Sequence, residues 1–419
     1  MNIAHLSLWI IGTWVGGLLL LFIVGKVLSA LTLRSVNRGS GDQTVGETER
    51  ALKRIYRAVI HLAAGYYYIS LPVIALIIIA LIVALFYGFY EAGRINIKIA
   101  LMVLAGGGLT LYKMITSFLL EIPDQEPGRE LKQEEAPGLW ELTREVAADV
   151  DTRPIDEIRI TPGTEVAVYE RGTKGEKKDD SAKRVLLLGL GILYGFREPG
   201  FRAVLAHEYG HFTHRDTAGG DVALTVQREM FKYFIGLYQA GQAVFWNLAF
   251  QFLRLYSLLF RRISHGATRL QEIMADRVAA RLYGAPAFES GLTHVIQRSI
   301  EFGIGVKTEL ARAASEKRQV NNLYALLPVS RDDIRPVMLQ AINAETTADD
   351  THPAPLDRFR FIAPYQTAQK QVGDRLILDL FVDREAITAE MTAAIEEAAR
   401  EPRIRPSRRE DDENPKWTM

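Results

Sequence analysis

Two stretches near the start of the chain carry no Asp, Glu, Lys or Arg over lengths that only a membrane-spanning or deeply buried helix tolerates. The first runs from Met1 to Gly25 and contains WIIGTWVGGLLLLFIVG before Lys26. The second separates Arg57 from Glu91, with SLPVIALIIIALIVALFYGFY at its centre. A helix crosses the hydrocarbon region in about 20 residues, so each run is long enough to span. The first lacks a basic leading region, and its apolar part is too long for the core of a cleaved signal peptide. A third stretch, IALMVLAGGGLTLYKMITSFLL at 99–120, is weaker. Lys113 has to snorkel or face protein, and Gly106, Gly107 and Gly108 lower helix propensity while permitting close helix contact. The expectation is two to three transmembrane helices within 1–120.

Loop charge orients these spans. Residues 31–60 carry Arg34, Arg38, Arg50, Lys53, Arg54 and Arg57, whereas the 91–98 connection has only Arg94 and Lys98. The positive-inside rule places 31–60 in the cytoplasm, and a third span returns the long polar region to that side. Lys plus Arg and Asp plus Glu balance at 50 each, and no concentrated basic surface is evident, so a nucleic-acid partner is not expected. Membrane lipid is. Cysteine is absent, which excludes a disulfide scaffold, a Cys-based zinc site and a thiol nucleophile. His, Asp and Glu are left as metal ligands.

Beyond Leu120, EIPDQEPGRELKQEEAPG reads as an acidic, proline-containing linker and LWELTREVAADV as an amphipathic helix, together 121–150. IDEIRITPGTEVAVYERG reads as strands around a Pro-Gly turn, and 171–183 as a solvated loop. The alternation at Val166, Val168 and Glu170 fits a half-exposed strand, either scaffold or an edge that pairs with an extended substrate. Residues 233–253 lack formal charge but are interrupted by Gln239, Gln242, Asn247 and Gln251. They read as a fourth span, an interfacial helix or a cavity-lining helix, so a membrane-associated helix is possible at 233–260. Residues 151–395 are expected to form the catalytic domain, and the charge-dense 396–419 a disordered tail.

The chemical signal lies in AVLAHEYGHFTHRD, where Phe201, Val204, Leu205 and Tyr209 recur at helical spacing. Four residues apart on a helix, His207 and His211 share one face and can offer imidazole nitrogens to one metal ion, while Glu208 can reach a water held there and act as general base. His214 lies nearly on the same face and is open as a ligand, a neighbour of the cleft or a structural residue. The extended metzincin pattern is disfavoured, because His214 and Thr217 stand where it needs Gly and His. A third ligand is still required. Glu272 and Asp276 share a helix face one turn apart, so one can ligate while the other hydrogen-bonds a ligating imidazole. Equally, they can be surface carboxylates beside Arg269 and Arg277.

AVLAHEYGHFTHRD, EIMADRVAARLYG and THPAPLDRFR, in this order after early membrane spans, resemble the integral-membrane metallopeptidase family that contains the bacterial heat-shock protease HtpX and the CAAX prenyl proteases. The resemblance covers roughly 150–360 and the general arrangement of the first 120 residues. It implies a mainly α fold: N-terminal transmembrane helices, then an α+β gluzincin-type metallopeptidase domain with a helical HExxH site. It also implies one zinc ion held by His207, His211 and Glu272, with Glu208 as the base and Asp276 beside the ligands. The resemblance also implies that His352 and Arg358, otherwise readable as parts of a surface turn, fall in a segment near the zinc cleft, where His352 can donate to a developing oxyanion and Arg358 can hold the segment or pair with an acid.

The expected function is zinc metalloendopeptidase action on membrane-associated or misfolded polypeptides, in a bacterial inner membrane with the catalytic domain facing the cytoplasm. CAAX prenyl-protein processing is the nearest alternative, but three or four spans are sparse for an isoprenyl chamber. A noncatalytic, zinc-stabilised membrane scaffold is the other, and the intact Glu208 argues against it.

Overall fold

The computed structural model describes residues 3–38, 47–120, 126–213, 220–320, 322–325, 331–347 and 350–400. Helices α1 (Ile3–Arg38), α2 (Glu47–Glu91) and α3 (Ile97–Thr116, prolonged by a 3-10 turn over Ser117–Leu119) open the chain. They contain the three stretches long and apolar enough to cross a membrane: Ile11–Thr32, Arg50–Glu91 and Ile97–Leu119. The weaker third candidate is therefore among them. Many outward side chains here are apolar and exposed, among them Leu19, Leu76 and Leu101, as lipid contact requires. Polar pairs fix an antiparallel register between α1 and α2. Trp14 Nε1 donates to Ser70 Oγ at 2.8 Å, and the Thr32 and Tyr56 hydroxyls lie 2.6 Å apart. A Cβ on Gly107 would stand 2.7 Å from Ile82 Cδ1, so this glycine lets α3 close on α2.

A mixed α/β unit follows: β1 (Arg129–Glu130), α4 (Pro137–Val150), β2 (Glu157–Thr161), β3 (Val166–Arg171), α5 (Lys174–Lys178), β4 (Lys183–Gly189) and α6 (Leu190–Leu193). The sheet order is β1-β2-β4-β3, with β2 and β4 parallel and the other pairs antiparallel. β4 inserts between β2 and β3, so the Pro162–Gly163 connection crosses over instead of closing a hairpin. β3 is left at the sheet edge. The 171–183 connection, expected as a loop, holds α5, capped by a reciprocal Thr173–Glu176 box.

The rest is helical: α7 (Glu198–Thr213), α8 (Gly220–Gln239), α9 (Leu248–Tyr283), α10 (Ala285–Glu316), α11 (Arg331–Ile342), α12 (Pro355–Ile362) and α13 (Arg384–Arg400). One core joins the sheet, α4, α7, α10 and the C-terminal part of α9. A second joins α1 and α2 to α8 and the N-terminal half of α9, with Met114 of α3.

The structure moves several boundaries. Leu131, Leu139, Trp140 and Val146 are buried in the sheet core, and Tyr209 donates to the Thr143 carbonyl at 3.0 Å. The α/β unit thus begins at β1 rather than at 151, because β1 is paired and α4 is packed. Residues 233–253 are not one helix. α8 ends at Gln239, the chain turns through Gly241 at φ +65°, and Asn247 caps α9 by accepting from Phe250 N. Residues 396–400 continue α13; the rest of the expected tail, 401–419, and 121–125 of the linker lie outside the described residues.

Candidate metal centre

α7 starts at Glu198-Pro199, where proline's fixed φ suits a first helical turn. It buries Phe201, Val204, Leu205 and Tyr209. That burial fixes the helix's rotation, and His207 and His211, one turn apart, are carried toward α9. The two helices touch closely at this height: a Cβ on Gly210 would stand 3.1 Å from Ala275 Cα and 3.3 Å from its Cβ. The bare glycine and the small alanine thus let the α7 histidines face Glu272 and Asp276 one turn apart on α9.

Ligand atoms of His207, His211 and Glu272 all lie within 4.8 Å of one another. His207 Nε2 is 3.3 Å from Glu272 Oε2, and His211 Nε2 is 3.5 Å from Oε1. His207 Nδ1, turned the other way, is 2.8 Å from Asp276 Oδ1. Arg358 of α12 grips Asp276 with two donors, Nη2 to Oδ1 at 2.6 Å and Nε to Oδ2 at 2.9 Å. His352, in the turn before α12, sets Nδ1 2.9 Å from Glu272 Oε2. Glu208, Glu272, Asp276 and Arg358 are all buried. The surface reading of the two α9 carboxylates is thereby corrected: α7 and α12 cover that face of the helix.

These contacts set the charge states. Burial pushes the Glu208 carboxyl up to about 7, against the lowering influence of His207, His352 and Arg358. Burial also opposes charge on Glu272 and Asp276, but neighbouring cationic groups outweigh it and hold both carboxyls below their usual range. His211 is brought down to about 4 by burial, which favours the neutral, ligating imidazole. His207 goes the other way, to about 10, because Asp276 and Glu272 outweigh its desolvation. A cation must therefore displace a proton from it.

A metal ion fits this donor set. Glu272 Oε2 is buried and crowded by nitrogens at 2.9 and 3.3 Å, yet it makes no hydrogen bond, and His352 Nδ1 is likewise without one. Buried polar atoms are rarely left so. A cation among these groups would give the carboxylate oxygen the partner it lacks.

Sequence reading missed Gly210, Phe288 and Arg269. Phe288 of α10 places its ring 5.4 Å from the Arg358 guanidinium and 5.9 Å from the His207 ring, flooring the ion pair. Arg269, fully buried, donates to the Asp350 carbonyl at 2.5 Å and to Ser29 Oγ of α1 at 2.8 Å, tying the His352 turn to a membrane helix. For Gly210 the glycine inside HEYGH and the Ala275 inside EIMADR were available signals; the other two depend on chain-distant contacts. His214 lies outside the described residues.

Removing one partner of a buried ion pair strands the other's charge, at a cost of about 3–5 kcal/mol. Arg358→Ala is therefore expected to destabilise the metal-free domain by about that amount, read as a lowered denaturant midpoint at unchanged slope. An unchanged midpoint would show that His207 alone compensates Asp276.

A helix-borne His-Glu-x-x-His facing a glutamate from a second helix defines a metallopeptidase-type site. Residues 182–365, from the start of β4 through α12, match the model of peptidase family M48. The resemblance to HtpX-like and CAAX-type metallopeptidases therefore holds, and the match encloses all seven site residues named above from the motifs. No curated protein and no solved structure matches the chain.

Proposed function

We propose that this protein is a zinc-dependent, membrane-bound endopeptidase acting on membrane-associated or misfolded polypeptides, with one zinc ion per chain. The observation that carries this is the convergence of His207, His211 and Glu272 around a carboxylate oxygen without a hydrogen bond, with the buried Glu208 beside His207 on α7. Zinc in this position supplies Lewis acidity toward a water molecule and the scissile carbonyl.

The chain's own residues do the rest. Glu208 takes a proton from the attacking water and passes it to the leaving nitrogen; a carboxyl raised toward neutrality suits both transfers. Asp276 accepts from His207 Nδ1, which keeps Nε2 turned to the cluster and makes the ring a better donor; Arg358 keeps Asp276 in place. His352 donates an N–H to the substrate oxygen as negative charge grows on it. Among the described residues β3 pairs only with β4, and its other edge suits an extended substrate strand.

Metal analysis tests the ligand set. Purified protein is expected to hold one zinc per chain, and Glu272→Ala to lose most of it. Full retention by that variant would remove Glu272 from the coordination sphere. Chelation is expected to stop hydrolysis and zinc to restore it.

The spans orient the site. α1 ends, α2 begins and α3 ends on one side of the bundle, the side from which the α/β unit continues. Reporter fusions after residues 45 and 130 are expected to report the cytoplasm, and a fusion near 93 the opposite face. Opposite readings at 45 and 130 would mean that Ile97–Leu119 does not cross.

A further inference from the structure

The charge-free run 233–253 is too polar to be one of the apolar spans, and it is folded in half. From Tyr233 to Gln242 the chain climbs along α3, and from Asn247 it descends as α9. The turn does not end at the level of the α3 terminus. Asn247 Nδ2 donates to Thr110 Oγ1 at 2.8 Å, and that hydroxyl donates to the side-chain Oε1 of Gln242 at 3.2 Å, at the level of Gly106–Thr110. Thr110 stands close to the middle of the 23-residue span Ile97–Leu119. Lower down, a Cβ on Gly236 would meet Ser117 Cβ at 3.4 Å, at the catalytic end of α3. On the α2 side, Phe252 stacks on Tyr67, and Tyr256 donates to the Ala63 carbonyl.

From these contacts we infer that α8–α9 is a re-entrant hairpin, entering the bilayer from the catalytic side and turning back near its midplane, with lipid acyl chains around its tip. The lengths agree. The charge-free helical arms, Tyr233–Gln239 and Leu248–Leu253, are about 10 Å long each, and with the turn 240–247 they reach toward half the hydrocarbon thickness of about 30 Å. The charges nearest the run are Lys232, paired with Glu229, on the climbing arm and Arg254 on the descending one, with Arg261 and Arg262 beyond. Arg254 lies about 10 Å from the tip and reaches the interface with its long side chain. At the turn the Thr110, Gln242 and Asn247 side chains bond one another, and the Gln242 and Asn247 amides donate to the Leu237 and Val244 carbonyls, protein partners of the kind non-helical backbone at this depth requires. At the tip, Phe245 and Trp246 are 79% and 72% exposed, and the three spans likewise expose many apolar side chains.

A functional consequence follows from α9 being unbroken. From Leu248 to Glu272 is about 36 Å of helix, so a tip at the midplane places Glu272 outside the hydrocarbon, one turn of α9 beyond the Arg269–Ser29 bond near the catalytic end of the α1 span. The bonds it reaches lie in loops or unfolded segments that have left the bilayer, not within spans. This consequence rests on the peptidase reading; the hairpin's depth does not.

The chain has no cysteine, so single thiols report cleanly. Phe245→Cys in reconstituted vesicles is expected to resist a membrane-impermeant maleimide from both faces and to react after detergent. Lys307→Cys, exposed on α10, should react from the catalytic face throughout. Labelling of position 245 from the catalytic face would put the hairpin on the surface, and labelling from the opposite face would make it a full crossing; either overturns the inference. Independently, Trp246 as the sole tryptophan is expected to be quenched more by lipids brominated deep in the acyl chain than by those brominated near the headgroup. The reverse order also overturns it. For substrates, a cleavable sequence moved stepwise away from a model span should be cut only once it has cleared the end of the span by a few extended residues. Cutting at the boundary itself refutes the stand-off, whereas no cutting at any position, with position 245 protected, refutes the peptidase reading alone.

Discussion

Glu208→Gln is expected to leave zinc at one per chain while lowering peptide hydrolysis by about 100- to 10,000-fold, the contribution of a positioned acid–base group. Glutamine keeps the volume and one acceptor of the carboxylate but carries no proton between water and amine. The distinction from a ligand variant is physical: Glu208 is adjacent to His207 on α7 and buried, but it is not among the three groups whose ligand atoms converge. The base works ionised, so the wild-type rate should fall as pH drops. With burial raising this carboxyl to about 7 in the metal-free site and a bound dication pulling it down, the acid limb belongs at or below about pH 7. Hydrolysis by the glutamine variant at the wild-type rate would rule out the mechanism proposed above.

His352→Ala is expected to cost about 100- to 1000-fold in turnover with zinc retained, the usual effect of removing one oxyanion donor. Its imidazole stands 2.9 Å from Glu272 Oε2 without hydrogen-bond geometry and is partly exposed, so it is placed at the cluster and open to a substrate. Pro353 and the following α12 restrict the turn that presents it. A donor that acts on the transition state lowers kcat while leaving KM nearly unchanged. Loss of zinc from this variant would make His352 a metal ligand or a support of the ligand shell, and unchanged turnover would leave it without a catalytic part.

How much of this was legible differs by residue. His207, Glu208 and His211 could be placed from spacing because a helix repeats about every fourth residue, and Pro199 and the apolar ridge marked the helix that carries them. Glu272 and Asp276 could be placed on one helical face but not told apart, nor told from surface acids. The family resemblance separated them, and the covering of α9 by α7 and α12 shows why both are buried. The 233–253 run was ambiguous for a related reason: local pattern measures apolarity and not depth. Only the Thr110–Gln242–Asn247 contacts show that it is folded in half against α3.

Local physics in the sequence determined that the chain enters a membrane and that two histidines and a glutamate share a helical ridge. Charge-free length and the helical repeat are properties of neighbouring residues. Tertiary structure decided that the ridge is completed by Glu272, that Asp276 turns to His207 instead of solvent, and that Arg269 ties α1 to the His352 turn. Those outcomes depend on how closely separate helices approach. That distance is set by single small residues such as Gly210 against Ala275, a pairing that no local pattern contains.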